Sequence, residues 1–151
     1  MGEKQPQDYA HIDIDPVILT PEGKVVLAKR KPDVFEGGRW HLPGGRLMVG
    51  ERLEEAMKRL AKMKTGFEIK LLTGSLTGDL VGVYDDPARD AREHVIALAY
   101  LCGITGGDEQ PGHNVSEVNA FDREDLAELD IAFDHRQMVE DAFRKLGQSW
   151  V

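Results

Sequence analysis

From His11 to Leu19 apolar and polar side chains alternate loosely (HIDIDPVIL), the two-residue period of a strand, and Pro16 inside it implies a bulge or an edge position. Pro21-Glu22-Gly23 reads as a turn, with Val25 to Ala28 as the returning strand of a hairpin. Lys29 to Arg39 mixes a proline and two glycines with charges, the pattern of a loop, and Trp40 to Leu42 predicts a short strand ending at Pro43-Gly44-Gly45. The strongest helical signal follows. Leu53, Ala56, Met57, Leu60 and Met63 share one face at a period of 3.6. Glu51, Glu54 and Glu55 gather at its start, while Lys58, Arg59, Lys62 and Lys64 lie towards its end, both suited to the helix dipole. Thr65-Gly66 closes it, the glycine free to take the left-handed conformation that ends helices.

Beyond the helix, Phe67 to Leu72 and Gly74 to Tyr84 predict strands, and Asp85 to Glu93 a charged loop. The unbroken apolar run His94 to Ile104 fits a central strand covered on both faces. Val115 to Phe121 predicts a last strand, Arg123 to Glu128 a short helix, and Asp134 to Leu146 a final amphipathic helix. Strands interleaved with two substantial helices imply an α/β or α+β sandwich.

At 151 residues, 41% hydrophobic and 30% charged, the chain reads as one globular domain rather than a disordered segment or a coiled coil. The polar first ten residues, 1–10, are expected to form a flexible arm on a single domain of residues 11–151. No apolar run reaches the ~20 residues of a membrane span, and the N-terminal residues lack the apolar core of a signal peptide. A lone cysteine, Cys102, in an apolar run is consistent with a cytoplasmic protein. Neither a membrane nor a nucleic-acid partner is expected, the latter because the net charge is −8. The charge is unevenly spread: Lys24 to Lys70 holds 12 Lys and Arg against 6 Asp and Glu, a balance of +6, which leaves −14 for the remainder. A basic segment in an acidic chain suggests a local anionic ligand, or else lysines solvated along a helix face.

Glycines at a turn let backbone approach a ligand, and a helix start beyond it favours anions. The spacing sharpens this. Gly45, five residues, Glu51, seven residues, Arg59, and then six residues to Gly66 and Phe67 resemble the Nudix box, G-x5-E-x7-R-E-U-x-E-E-x-G-U with U apolar. The lead-in Trp40-His-Leu-Pro-Gly-Gly45 is similar to that of the family, as are Gly82 to His94 and Ala132 to His135, which resemble segments of ADP-ribose pyrophosphatases and of ADP-ribose-sensing regulators. The resemblance implies a Nudix α/β/α sandwich around a mixed β-sheet. It also implies a small-molecule nucleotide ligand, a nucleoside diphosphate derivative such as ADP-ribose, Mg2+ or Mn2+ as cofactor, and association into a homodimer.

Against that pattern, Leu60, Met63 and Lys64 stand where the family's helix carries three magnesium-binding glutamates. None can serve as a hard oxygen ligand. Arg46, Arg59 and Leu60 match instead the altered box of GDP-mannose mannosyl hydrolases, whose one late glutamate corresponds to Lys64. The resemblance leaves the Gly44 carbonyl, Glu55 and Glu117 as metal donors. Glu51, Glu55 and Glu117 are then the candidate catalytic carboxylates, with Glu51 alternatively pairing with Arg59, and Glu54 and Glu55 alternatively solvated. Arg46, Arg59, Lys64, Arg89 and Arg92 are candidate binders of phosphate or ribose, Lys64 by putting an ammonium where relatives hold a metal or else by reaching to solvent. Arg89, Arg92 and His94 equally suit a salt-bridged turn with Asp85, Asp86 and Asp90. His113 is a candidate acid or base; Trp40 and Phe35 can stack on a base, or Trp40 can belong to the core. Two functions remain: a hydrolase of ADP-ribose-like or nucleotide-sugar diphosphates with weakened or relocated metal binding, and a non-catalytic sensor of such a ligand.

Overall fold

The computed structural model describes residues 7–148. Eight strands form one mixed sheet: β1 (His11–Leu19), β2 (Val25–Arg30), β3 (Trp40–His41), β4 (Gly45–Arg46), β5 (Phe67–Leu71), β6 (Leu80–Tyr84), β7 (Val95–Gly107) and β8 (Val115–Phe121). Helix α1 (Leu53–Thr65) covers one face and α2 (His135–Gln148) the other, with a 3-10 turn at Asp125–Glu128 where the sequence predicts a short helix. The α/β sandwich with a mixed sheet is therefore the architecture found.

The centre is β1 paired in parallel with β7 over its whole length, His11 opposite Val95 through Leu19 opposite Gly103. Alternation then sorts the side chains. Ile14, Ile18, Val26 and Ala28 pack against Met57, Leu60 and Ala61 of α1. Val17, Leu19, Val25, Leu27 and Leu101 pack against Met138, Val139 and Ala142 of α2. Helix α1 starts and stops as its sequence dictates: Arg52 is extended and Gly66 ends it at φ 81°. Asp79 is a fixture that the sequence did not advertise. Buried at 1% exposure, it accepts from Thr73 N, Thr73 Oγ1 and Ser75 N, so residues 74–79 fold as a tied loop and the expected strand shortens to β6.

Pro16 lies in a strand paired regularly with β7, without a bulge, and on its other side it stands at a locally unpaired edge. His11 N donates to His94 O while Ile12 O accepts from Leu47 N, so even-numbered residues of β1 turn their backbone groups away from β7. On that side β4 pairs at Asp13 and Ile14, and β2 pairs at Leu19. Pro16 sits in the gap between them, where the missing N–H has no partner to lose. Of the expected arm, residues 1–6 lie outside the described residues, and the Gln7 side chain bridges to the backbone of His94, accepting from its N and donating to its O.

Candidate functional site

The gap between β2 and β4 is made by the turn after β3. Gly44 N donates to Leu42 O at 2.8 Å, and the turn lies flat on β1. A Cβ on Gly44 would stand 2.1 Å from Ile14 O and 2.4 Å from Asp15 Oδ1, so only glycine fits there. The turn thereby aims the Gly44 carbonyl at the last turn of α1, where Lys64 Nζ donates to it at 2.5 Å. Around this contact opens a cleft of about 310 Å3.

Its floor is charged. Asp13 and Asp15 continue the face of β1 that Val17 and Leu19 bury under α2, and Asp15 is 3% exposed. Asp15 Oδ1 lies 3.6 Å from His135 Nε2, while its Oδ2 has no hydrogen-bond partner. Asp13 Oδ1 is 3.5 Å from Arg46 Nε, an ionic contact without a hydrogen bond. Burial, then the neighbouring Asp13, pushes the Asp15 carboxyl up to about 8, and burial also raises Asp13. The two histidines of the floor are held neutral. His135 Nδ1 accepts from Leu42 N at 2.9 Å, which puts its proton on Nε2, facing Asp15, and burial lowers it to about 3. His41 Nδ1 donates to Ala28 O at 2.7 Å, so its buried Nε2 is a bare acceptor; burial, then Lys64, lowers its pKa well below the usual 6.5. Lys64 itself drops to about 8, mainly through burial.

Of the residues singled out in the sequence, the structure brings Gly44, Arg46, Arg59, Lys64, Arg89, Arg92 and His113 to this cleft. Four of the arginines are already engaged. Arg46 meets Asp13 and Glu93, Arg59 forks onto Glu51 (2.7 and 3.0 Å), Arg89 forks onto buried-side Asp134 (2.7 and 2.6 Å), and Arg92 forks onto Asp90. Glu51 also accepts from Met48 N, so it braces the loop before α1 and stands behind Arg59 rather than in the cleft. Three candidates are corrected. Glu55 is exposed and accepts from Arg52 N, which caps α1 on a side away from the cleft. Glu117 is exposed on β8 opposite Lys29. Trp40, 9% exposed, packs edge-on against Phe121 at 4.9 Å in the α2 core. Arg30, Asp13 and Asp15 were not singled out, and His41, Phe133 and His135 entered only inside family-like segments, although Asp13 and Asp15, two residues apart in a largely apolar strand, carried a readable sign.

Helix α1 offers the cleft no oxygen ligand for a Mg2+ or Mn2+ ion. Helix α1 turns Arg59, Leu60, Met63 and Lys64 into the cleft, no carboxylate among them. The Gly44 carbonyl is capped by an ammonium. Among the described residues, no group of three or more His, Cys, Asp or Glu side chains is placed to hold a metal. Nor is any helix among them long and apolar enough to cross a membrane.

Comparison with known proteins places the fold. The NUDIX domain family matches residues 11–142. The ADP-ribose pyrophosphatase of Methanocaldococcus jannaschii is 37% identical over 127 residues, 84% of this chain and 70% of that protein. Among solved structures, the NUDIX domain of Shewanella oneidensis NrtR, complexed with ADP ribose, superposes with a TM-score of 0.74 at 26% identity, covering 93% of this chain and 90% of that one. A NUDIX hydrolase from Nitrosomonas europaea superposes with a TM-score of 0.76 at 16% identity, covering 90% of each chain, a likeness of fold.

Proposed function

The chain belongs to the NUDIX family, and from that premise we propose that its cleft binds an ADP-ribose-like nucleoside diphosphate derivative using its own cations in place of a divalent ion. One observation carries the proposal: the Lys64 ammonium sits 2.5 Å from the Gly44 carbonyl, beside Asp13 and Asp15, where a metal would need that same oxygen. A diphosphate requires positive charge, and a tethered ammonium supplies it with no metal to recruit. The likeness to a pyrophosphatase and to an ADP-ribose-bound domain supports the ligand class. Isothermal titration with ADP-ribose, in excess EDTA and again in Mg2+, tests it. Equal affinity in both is the expected result, and binding lost in EDTA would refute it.

Hydrolysis of the same ligand is the second reading, favoured by the 37% identity to an ADP-ribose pyrophosphatase. Glu55 and Glu117 lie outside the cleft, so any chemistry falls to groups on its floor, Asp13 and Asp15 first. Release of AMP from ADP-ribose by the protein, abolished by Asp15→Asn, would establish that reading over pure binding.

A further inference from the structure

Six basic side chains line the cleft, and they fall into two classes. Arg46, Arg59, Arg89 and Arg92 each sit on a carboxylate of their own. Arg30 and Lys64 do not: among the described residues no carboxylate lies within 4.0 Å of either.

Arg30 is the more telling of the two. It ends β2 and is 8% exposed, yet charged residues are almost never buried unless paired. Its Nε donates to Phe35 O at 2.6 Å, and the Phe133 ring covers its guanidinium at 5.2 Å. The acids nearest to it, Glu36 and Asp90, are spent on Arg39 and Arg92. Arg30 lines the cleft, and its Nη donors meet no carboxylate among the described residues. Phe133 holds its place in the left-handed region at φ 56°, uncommon for a bulky side chain, and packs beneath Arg92 as well as Arg30. A buried cation that lines a cleft without a carboxylate partner is a place that can receive an anion.

We propose that Arg30 and Lys64 form a two-point receptor for a diphosphate, each meeting one phosphoryl group where a carboxylate partner is missing. Arg30 offers a planar fork that matches two phosphate oxygens, and Lys64 a point charge. The four paired arginines then set the walls and the field without giving up their own acids. This deepens the reading of the cleft as a nucleoside diphosphate site and rests on it for the natural ligand, but the receptor itself is defined by inorganic pyrophosphate.

The test uses the whole protein in EDTA. Wild type, Arg30→Met, Arg30→Lys, Lys64→Met and, as a control on an exposed pair outside the cleft lining, Lys62→Met are titrated with pyrophosphate, phosphate and ADP-ribose, and each is melted without ligand. Pyrophosphate is expected to bind wild type more tightly than phosphate does. Arg30→Met and Lys64→Met each weaken pyrophosphate by at least ~10-fold, about 1.4 kcal/mol, with Arg30→Lys in between and Lys62→Met unchanged. Unliganded Arg30→Met melts no lower than wild type, because a hydrophobic replacement removes an uncompensated buried charge. A structural arginine would behave in the opposite way: lower melting with pyrophosphate affinity intact, and that result overturns the proposal. So does equal affinity of wild type for phosphate and pyrophosphate. Pyrophosphate bound in an Arg30-dependent way while ADP-ribose is ignored would sink the nucleotide reading and keep the receptor. ADP-ribose bound at full strength by Arg30→Met would do the reverse.

Discussion

The two faces of the sheet and the cleft at its split are built on opposite rules. On the faces, Ile14, Ile18 and Leu27 and the helix residues Met57 and Met138 are almost wholly buried and apolar, and complete one another. In the cleft, Asp15, Arg30, His41 and His135 are just as buried, but Asp15 Oδ2 and His41 Nε2 lack partners and Arg30 lacks a counter-ion. A chain selected for stability alone would fill those positions with hydrocarbon. Among the described residues the buried side-chain atoms without partners all line this cleft, where a ligand can meet them, and that contrast is what separates scaffold from site.

The contrast breaks most visibly if a face residue is truncated. Leu27→Ala is expected to cost about 3 kcal/mol, through lost transfer energy and a cavity under α2, read as a drop in urea midpoint at unchanged slope. A cost below about 1 kcal/mol would mean the α2 layer is loosely packed and the contrast overstated. Truncations in the cleft should change ligand affinity far more than they change that midpoint.

A smaller effect sharpens the comparison by pH. Asp15 is raised from an ordinary 3.8 to about 8, so its contribution to stability is complete at low pH and is lost as pH climbs towards 8. Asp13, raised as well, acts in the same direction. The buried histidines oppose this only below about 6.5, because His135 is lowered from 6.5 to about 3 and destabilises the fold as pH falls through that range. Lys64, lowered from 10.5 to about 8, carries a constant cost below pH 8 and is relieved only above it. Between pH 6.5 and 8 the unliganded protein should therefore lose stability as pH rises, and Asp15→Asn should flatten the slope. Melting curves across that window check it; a wild-type slope of the other sign would place the ionised carboxylate, and not the acid, in the folded state.

Much of the scaffold was legible because it is periodic. The apolar stripe and the charge gradient of residues 51–64, closed by Gly66, define α1 almost to the residue. The strand at His11–Leu19 was legible too, but not its neighbours, so the sequence left Pro16 open between a bulge and an edge position, and the gap opposite it decides for the edge. Strand β4, two residues long, has no period to read. For the site, the Gly44 turn and Lys64 could be found from spacing. Arg30 could not: its meaning depends on Glu36 and Asp90 being claimed by other arginines, a fact of three dimensions. Trp40 shows the converse case: the sequence left it open between a ligand platform and the core, and Phe121 against it decides for the core.

The most direct measurement is a crystal structure of the protein grown with both ADP-ribose and Mg2+. The account predicts diphosphate oxygens within hydrogen-bonding distance of Lys64 Nζ and the Arg30 guanidinium, with no ion on the Gly44 carbonyl. A Mg2+ ion coordinated by that carbonyl, with Lys64 swung out to solvent and Arg30 clear of the phosphates, would contradict it.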